Sequence, residues 1–451
     1  MNKNVYFEVG IGETEITPPE GITGRLGINH TLYIKHPIFA RALAFKTKQG
    51  IIVQITCELV GLTRGTISRI HTKLENELGL DRNNIILTCT HTHCSPWIWD
   101  LQAKEAEQVG IKLLDWHWLD KVIQGCVKSA QIAIENFQPS ILKVGVAKVK
   151  DVASNRIELG WRGSICTDSF AKAKGIGYID PEIRVLSVYN IKGEIRALFV
   201  NYSCHPSSYG GGKTQFVSPD FPYYASKLIS KYFEQNIPMS YWQGCAGDIN
   251  VGKFNIQGSE EEVQGFGKRL AEGILRALND SKEIKSSNII FKTKDLELAV
   301  GEWVESIDEA RNKFNNLSHQ VKTYLERKKP VPDNLVSQWR MAIKRLDVCL
   351  LSNSKKMKAR LYLWKIGKLC LVFVPGEWFV HYGGQFSKLT NQLNIWITTL
   401  TDIDLLYIPD RKVMQHREWY GVNSKMRTIS DKSIYTLMKT TKDLLLLSGW
   451  L

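Results

Sequence analysis

Strand-like and helix-like patterns alternate along the first 150 residues, and this alternation limits the folds open to the chain. ARALAFKT and IIVQITC flank a Lys-Gln-Gly turn, as the two strands of a hairpin do. The next segment, TRGTISRIHTKLENELG, has apolar residues at helical spacing, and NIILTCT then returns to a strand pattern. Hairpin and helix patterns recur at 184–201 and 260–278. The sequence therefore predicts an α/β protein with mixed β-sheets flanked by helices.

The 451 residues contain no internal repeat, low-complexity linker or clean boundary, so we expect one large domain over 1–451. Within it, 301–350 is the most charged stretch, and it is interrupted by Pro330-Val331-Pro332. This stretch predicts a polar helical hairpin packed on one side, a largely solvated excursion from the domain.

Composition indicates an ordinary globular protein. Hydrophobic residues make up 43% of the chain and charged residues 23%, which excludes a disordered protein. The formal net charge of +14 is spread without a long Lys/Arg run, which favours a generally basic surface over a nucleic-acid site. The N-terminus lacks the apolar core of a signal peptide, and the nine cysteines form no C-x-x-C pair. We expect a cytoplasmic protein without stable membrane anchoring or a nucleic-acid partner; the sequence leaves its oligomeric state open.

The stretch THTHCSP places His91 and His93 two residues apart where the strand pattern NIILTCT ends. Residues i and i+2 of a strand lie on one face, so both imidazoles are predicted to enter one pocket. Imidazole is the commonest protein ligand for zinc and similar ions. A hydrogen-bonded pair of core histidines is the alternative. A nucleophile formed by Cys94 and a neighbouring histidine is disfavoured, because adjacent strand residues face opposite ways.

Two further residues extend the metal hypothesis. LFVNYSCHPSSYGGG brings His205 to the end of another strand pattern, before proline and small residues that leave room for a ligand. LCLVFVPGEWFV ends a strand pattern at Pro-Gly and presents Glu377 where the next helix is predicted to begin. Two histidines and one carboxylate form a known open catalytic zinc site. A glutamate at a helix start is favourable by itself, so a purely structural role stays open.

Seven stretches, in this order, resemble the N-terminal catalytic domain of the neutral/alkaline ceramidase family. They are VGIGETEITPPEG, THTHCSP, SNRI, IDPEIRVLSVYNIKGEIRALFVNYSCHP, SPDFPYYAS, QGCAGDINV and VPGEWF. The similarity extends over nearly the whole chain, and it implies a metallohydrolase domain that cleaves a carbon–nitrogen bond.

The resemblance also implies residue roles. One zinc ion would be held by His91, His205, Glu377 and Tyr420, the last of which lies in RKVMQHREWYGVN. His93 would act on the substrate as a proton donor or acceptor. Arg156, in the Asn-Arg motif of SNRI, and Tyr420 would stabilise negative charge that develops on the substrate oxygen.

One segment departs from the family. The family's Gly-Asp-x-Ser-Pro-Asn, whose serine is tied to ceramide amidase activity, is replaced by GDINVG at 247–252. Asn250 cannot act as an alcohol nucleophile, but it and Asp248 can hydrogen-bond substrate or water. We therefore predict a zinc-dependent hydrolase of a soluble small-molecule amide or ester. Two alternatives stay open: an acyltransferase or amide-forming enzyme with the same metal site, and a binding relative that has lost catalysis.

Overall fold

The structure is a computed structural model. It describes residues 6–23, 31–155, 178–209, 215–252, 258–286, 288–302, 304–352, 355–390, 394–411, 413–414 and 427–446, and every structural statement below concerns these residues.

The larger of the two main sheets has nine strands in the described ranges. They are β1 (Phe7–Glu15), β4 (Phe39–Thr47), β5 (Gly50–Cys57), β6 (Ile85–Cys89), β7 (Gln138–Lys148), β9 (Glu182–Asn190), β10 (Ile195–Tyr202), β12 (Met239–Gln243) and β14 (Lys282–Glu283). Their order is β12-β10-β9-β7-β1-β4-β5-β6, and β14 also pairs with β7. The β5–β6 and β10–β12 pairs are parallel, whereas β4–β5 and β9–β10 are antiparallel neighbours in sequence. The sheet is therefore mixed, and both predicted hairpins are present.

A second sheet contains four strands in the described part of the chain. They are β15 (Ile289–Ala299), β16 (Lys356–Ile366), β17 (Leu369–Phe373) and β19 (Asn394–Thr398), in that order. Shorter strands form small sheets at the edges: β2 (Ile22–Thr23), β3 (Thr31–Ile34), β8 (Ala153–Asn155), β11 (Phe216–Val217), β13 (Ile249–Val251), β18 (Glu377–Trp378) and β20 (Tyr407–Ile408).

An aromatic core joins the two main sheets. Phe45 of β4 packs edge-on against Trp364 of β16, with ring centroids 4.8 Å apart. Trp242 of β12 packs in the same way against Phe373 of β17, at 5.7 Å. All four side chains are fully buried, so the aromatic surface that they remove from water stabilises the stacked sheets.

Helices cover the remaining faces. They are α1 (Arg64–Leu78), α2 (Asp100–Gln108), α3 (Trp116–Glu135), α4 (Phe221–Tyr232), α5 (Glu260–Asn279), α6 (Ile307–Glu326), α7 (Asp333–Leu351), α8 (Val380–Ser387) and α9 (Asp431–Leu446). Helix α3 lies on β1 and β4, α5 lies on β7 and β9, and α9 lies on β15. The contact between α3 and β1 is very close, because a Cβ added to Gly12 would lie 1.9 Å from the Ser129 carbonyl oxygen. The predicted α/β architecture of mixed sheets flanked by helices is confirmed.

Helices α6 and α7 occupy the stretch around 301–350. They pack against each other through Phe314 and Trp339, whose rings are parallel within 10° and whose side chains are fully buried. Helix α7 also contacts α2. Among the described helices, none combines the length and the apolar character that crossing a membrane requires.

Candidate metal centre

His91 and His93 lie in a loop beyond the strand that leads to them. Strand β6 ends at Cys89, and His91 has φ 65°, a left-handed conformation that is uncommon for a residue with a side chain. The His91 amide donates to the Leu59 carbonyl at 2.9 Å, which fixes the loop against the segment after β5. The two imidazole rings are 4.9 Å apart, so they do share a site. The turn at His91 brings the two rings together. The prediction that both histidines lie on one face of a strand is wrong, because both lie beyond the strand's last residue.

His205 reaches the same place from the end of β10. It is 2% exposed, and its ring centroid lies 4.8 Å from that of His91 and 5.4 Å from that of His93. Each of the three histidines offers one side-chain nitrogen, and these three nitrogens all lie within 4.8 Å of one another. The described residues thus bring together three imidazoles from two separate loops.

Glu377 completes the cluster from a third direction. It lies in β18, which pairs in parallel with β20, and its amide donates to the Leu406 carbonyl at 2.7 Å. The predicted position at a helix start is wrong, because the next helix begins at Val380. Glu377 Oε2 lies 3.1 Å from His205 Nε2 and 3.6 Å from His91 Nε2, and the residue is only 6% exposed.

Backbone carbonyls set the tautomers of the two buried histidines. His91 Nδ1 donates to the Val60 carbonyl at 2.6 Å, and His205 Nδ1 donates to the Ile249 carbonyl at 2.7 Å. Since a carbonyl can only accept, each Nδ1 carries a proton, and Nε2 is the ring atom that faces the Glu377 carboxylate. In the neutral form of either ring, Nε2 is an acceptor only. Three acceptors that face one point require a cation between them, either a metal ion or a proton on an imidazole.

This arrangement fits a divalent metal ion. Histidine ligands in metal sites usually donate the other ring N–H to a carbonyl or carboxylate, which orients the ring. Burial by itself raises the pKa of Glu377, but positive charge on a protonated His91 or His205 outweighs it and holds that pKa well below its usual range. A metal ion between the three side chains would supply positive charge in place of that proton, and it would bind the ionised carboxylate.

A cavity of about 140 Å³ adjoins the cluster. His91, His93 and Glu377 lie on one wall, and the indoles of Trp97 and Trp99 lie on another, with centroids 5.0 Å apart. The remaining walls include residues of α7 and the segment that carries Asp404. The cluster is thus open to a small molecule on one side.

Residues 7–293 match the profile of the N-terminal domain of neutral/alkaline non-lysosomal ceramidases. The chain belongs to this family. The neutral ceramidase of Pseudomonas aeruginosa is 23% identical over 233 residues, which make up 49% of this chain and 33% of that relative. The chain thus aligns with about a third of the length of this curated relative.

Solved ceramidase structures share the fold. The crystal structure of neutral ceramidase from Pseudomonas aeruginosa superposes with a TM-score of 0.73 at 17% identity, over 98% of this chain and 74% of that one. A ceramidase complexed with C2 also gives a TM-score of 0.73, at 15% identity, over 98% of this chain and 75% of that one.

The remaining predicted site residues of this ceramidase-family chain are Arg156, Tyr420, Asp248 and Asn250. Arg156 and Tyr420 lie outside the described residues. Asp248 accepts the Val380 amide at 2.7 Å and Asn155 Nδ2 at 3.0 Å. Asn250 accepts the Ser207 hydroxyl at 3.0 Å. Neither Asp248 nor Asn250 lines the cavity, and their assignment to substrate binding stays a prediction.

Other cavity residues escaped the sequence analysis. Asp404 lies near Glu377 and His91, and burial together with the Glu377 charge raises its pKa. Trp97 follows directly after THTHCSP, so the aromatic pair in SPWIW was the only local signal for that wall. Residues of α7 are more than 230 positions away from the histidine loop, and no pattern in the sequence connects them with it.

Proposed function

We propose that the chain is a zinc-dependent hydrolase that cleaves a carbon–nitrogen bond in a small N-acyl compound. The observation that carries the proposal is the convergence of His91, His205 and Glu377 on one point at the edge of a cavity. Membership of the ceramidase family supports amide hydrolysis as the reaction. The proposal takes all of 1–451 as one ceramidase-like metallohydrolase domain, with 301–350 as its helical excursion.

The ligand set follows from the donor chemistry. His91 and His205 present Nε2 lone pairs, Glu377 presents an ionised oxygen, and we assign Tyr420 as a fourth ligand by its position in the family pattern. Two histidines and a carboxylate suit one zinc ion with an open coordination position. A zinc ion bound there would supply Lewis-acid chemistry and lower the pKa of a water molecule.

His93 is assigned a different role from the other two histidines. It is less buried than His91 and His205, and it lines the cavity. Its amide donates to the Pro206 carbonyl at 2.9 Å, which holds the residue beside the loop of His205. In this position its imidazole can move a proton to or from the reacting amide. Arg156 and Tyr420 are assigned to stabilise negative charge on the substrate oxygen.

The substrate class follows from the cavity and from Asn250. An asparagine cannot act as an alcohol nucleophile, so attack by an activated water suits this chain better than an acyl-serine route. The cavity carries ionisable side chains among its lining residues, which suits a polar amide or ester better than an all-hydrocarbon ligand.

Metal content measured by mass spectrometry tests the centre. Purified protein is expected to hold zinc near one ion per chain, and His205→Ala is expected to lose it. His93→Ala is the matched control, because it also removes one imidazole of the cluster. It should keep the metal and lower the rate of N-acyl hydrolysis by about 100-fold or more.

Other results assign the site differently. Loss of zinc in His93→Ala, with retention in Glu377→Gln, would replace the proposed ligands by the three histidines. Metal-free protein, with His205→Ala unchanged in every assay, would refute the centre. Product formation that depends on an added amine would favour the acyltransferase reaction over hydrolysis.

A further inference from the structure

One face of α7 forms a wall of the cavity that adjoins the metal centre. Arg340, Lys344, Asp347 and Leu351 line the cavity, and they are separated by four, three and four positions. This spacing places them on one side of a helix. The same helix buries Trp339 and Leu346 on another side, so its orientation toward the cavity is set by core packing.

Two cations stand together on this wall. Lys344 Nζ lies 5.4 Å from the centroid of the Trp97 ring, and the Arg340 guanidinium carbon lies 5.8 Å from the same ring. Like charges four residues apart on a helix repel each other. Contact with the same indole holds Arg340 and Lys344 together in the cavity lining despite this repulsion. An anion bound between the two side chains would relieve the repulsion.

Three acidic side chains, Glu377, Asp347 and Asp404, share the cavity lining with these cations. Glu377 faces the two histidines. Asp347 accepts Gln102 Nε2 at 2.7 Å, and burial together with Asp100 and Asp404 raises its pKa to about 7. The positive charge of Lys344 acts on Asp347 and Asp404, whose pKa values it lowers against the larger effect of burial. A third cation in the lining, Arg64, donates from Nη1 to the Leu351 carbonyl at 3.2 Å.

We infer that Arg340 and Lys344 select an N-acyl substrate that carries an anionic group, held over the Trp97 indole while its amide bond lies at the metal centre. The inference rests on the proposed amide hydrolysis for its reaction, and it adds the charge of the substrate. A carboxylate, a sulfonate and a phosphate monoester all match two adjacent cationic donors.

Matched substrates test the charge directly. N-octanoylglycine and N-octanoylglycinamide differ in one negative charge and little in size. The wild-type protein should have the higher kcat/KM for the acid. In Arg340→Gln/Lys344→Gln, the ratio of kcat/KM for acid over amide should fall by about tenfold or more, since hydrogen bonds to charged groups contribute about that much. N-octanoyltaurine and N-octanoyl-O-phosphoethanolamine then distinguish sulfonate and phosphate from carboxylate.

Control variants separate charge recognition from damage to the helix. Arg345→Gln removes the same charge from α7, but Arg345 lies away from the cavity and is 3.8 Å from Glu305, which also pairs with Lys313. It should leave the substrate ratio unchanged. Lys344→Met keeps the aliphatic stem against Trp97 and should lower the ratio, whereas Arg340→Lys should largely retain it.

A binding measurement keeps this test independent of the reaction. Calorimetric titration with N-octanoylglycine and its amide reports the same preference without turnover. Preferential binding of the acid that is lost in the double variant, in a protein that hydrolyses nothing, would refute the proposed function and support the charge selection. Equal kcat/KM ratios, or equal affinities, in the wild type and the folded double variant would overturn the inference.

Discussion

Gly247→Ala is the perturbation that the structure predicts most sharply. Gly247 lies in the loop after β12, and its amide donates to the Trp378 carbonyl at 2.8 Å, next to the candidate ligand Glu377. A Cβ added there would lie 2.3 Å from the Glu377 carbonyl oxygen and 2.8 Å from the Phe379 ring. The obstacle is main chain as well as side chain, so a rotamer change cannot remove the clash.

The size of the clash gives the expected effect. The Glu377 backbone must retreat by about 1 Å to reach ordinary van der Waals contact. Metal ligands tolerate displacements of about 0.2 Å. We therefore expect metal affinity to fall by about 10- to 100-fold, as for changes that misplace a ligand from outside. Overpacking of this kind should also lower the free energy of unfolding by about 1–3 kcal/mol.

Metal content after dialysis against a weak chelator, measured beside urea unfolding of the metal-free protein, separates the two effects. Gly383→Ala is the matched control, because its added Cβ would meet Cys245 at 3.5 Å, an ordinary contact beside the same loop. It should change neither quantity by much. If Gly247→Ala retained both the metal content and the urea midpoint of the wild type, the close approach between these two loops would be refuted.

Two further predictions concern pH. Burial, together with Arg82 and Arg360, lowers the pKa of His71 from 6.5 to about 4. The unfolded chain therefore protonates this histidine at a higher pH than the folded chain does. As a result, the free energy of unfolding falls as the pH drops from 6.5 to 4. His71→Gln should remove on the order of 3 kcal/mol of that loss, measured by urea unfolding at both ends of the window. Asp347 has the opposite sign: with its pKa raised from 3.8 to about 7, the folded state binds the proton first, and the free energy of unfolding falls as the pH rises from 3.8 to 7. Asp347→Asn should therefore raise the free energy of unfolding at pH 8 by about 2 kcal/mol, a value reduced for solvent screening because the side chain lines a cavity. An equal increase at pH 4 would contradict the assignment of this effect to the Asp347 charge.

The sheets were predictable because their information is local. Each hairpin joins strands that are adjacent in sequence, and the β4–β5 turn is marked by its own glycine. Helix α2, in contrast, has the sequence DLQAKEAEQ, which lacks an apolar stripe of the usual width, so no sequence pattern predicted this helix. It packs against α7, and its Gln102 bonds to Asp347, so contacts with a distant segment help to hold it in place.

The candidate site was predictable only in its residue types. A histidine pair, a third histidine and a glutamate at strand ends indicated a metal centre, but the reasons for their convergence lie elsewhere. His91 is turned by a left-handed residue conformation, and Glu377 is placed by pairing with β20. Neither feature can be recognised from a periodic pattern in the sequence, because each depends on a contact between distant segments.

The same contacts connect the candidate metal centre with the fold. His91 is held by carbonyls that follow β5, His205 by the Ile249 carbonyl, and Glu377 by the Leu406 carbonyl. Each ligand therefore donates a hydrogen bond to a segment other than its own. A cation that draws the three side chains together also fixes these segments relative to one another, so metal binding should stabilise the folded chain. The part of the cavity lining formed by α7 and Trp97 takes no part in these hydrogen bonds. Substitutions on that wall can change which substrate is accepted while the centre stays intact, which is why charge selection by Arg340 and Lys344 and metal binding by His205 can be tested separately.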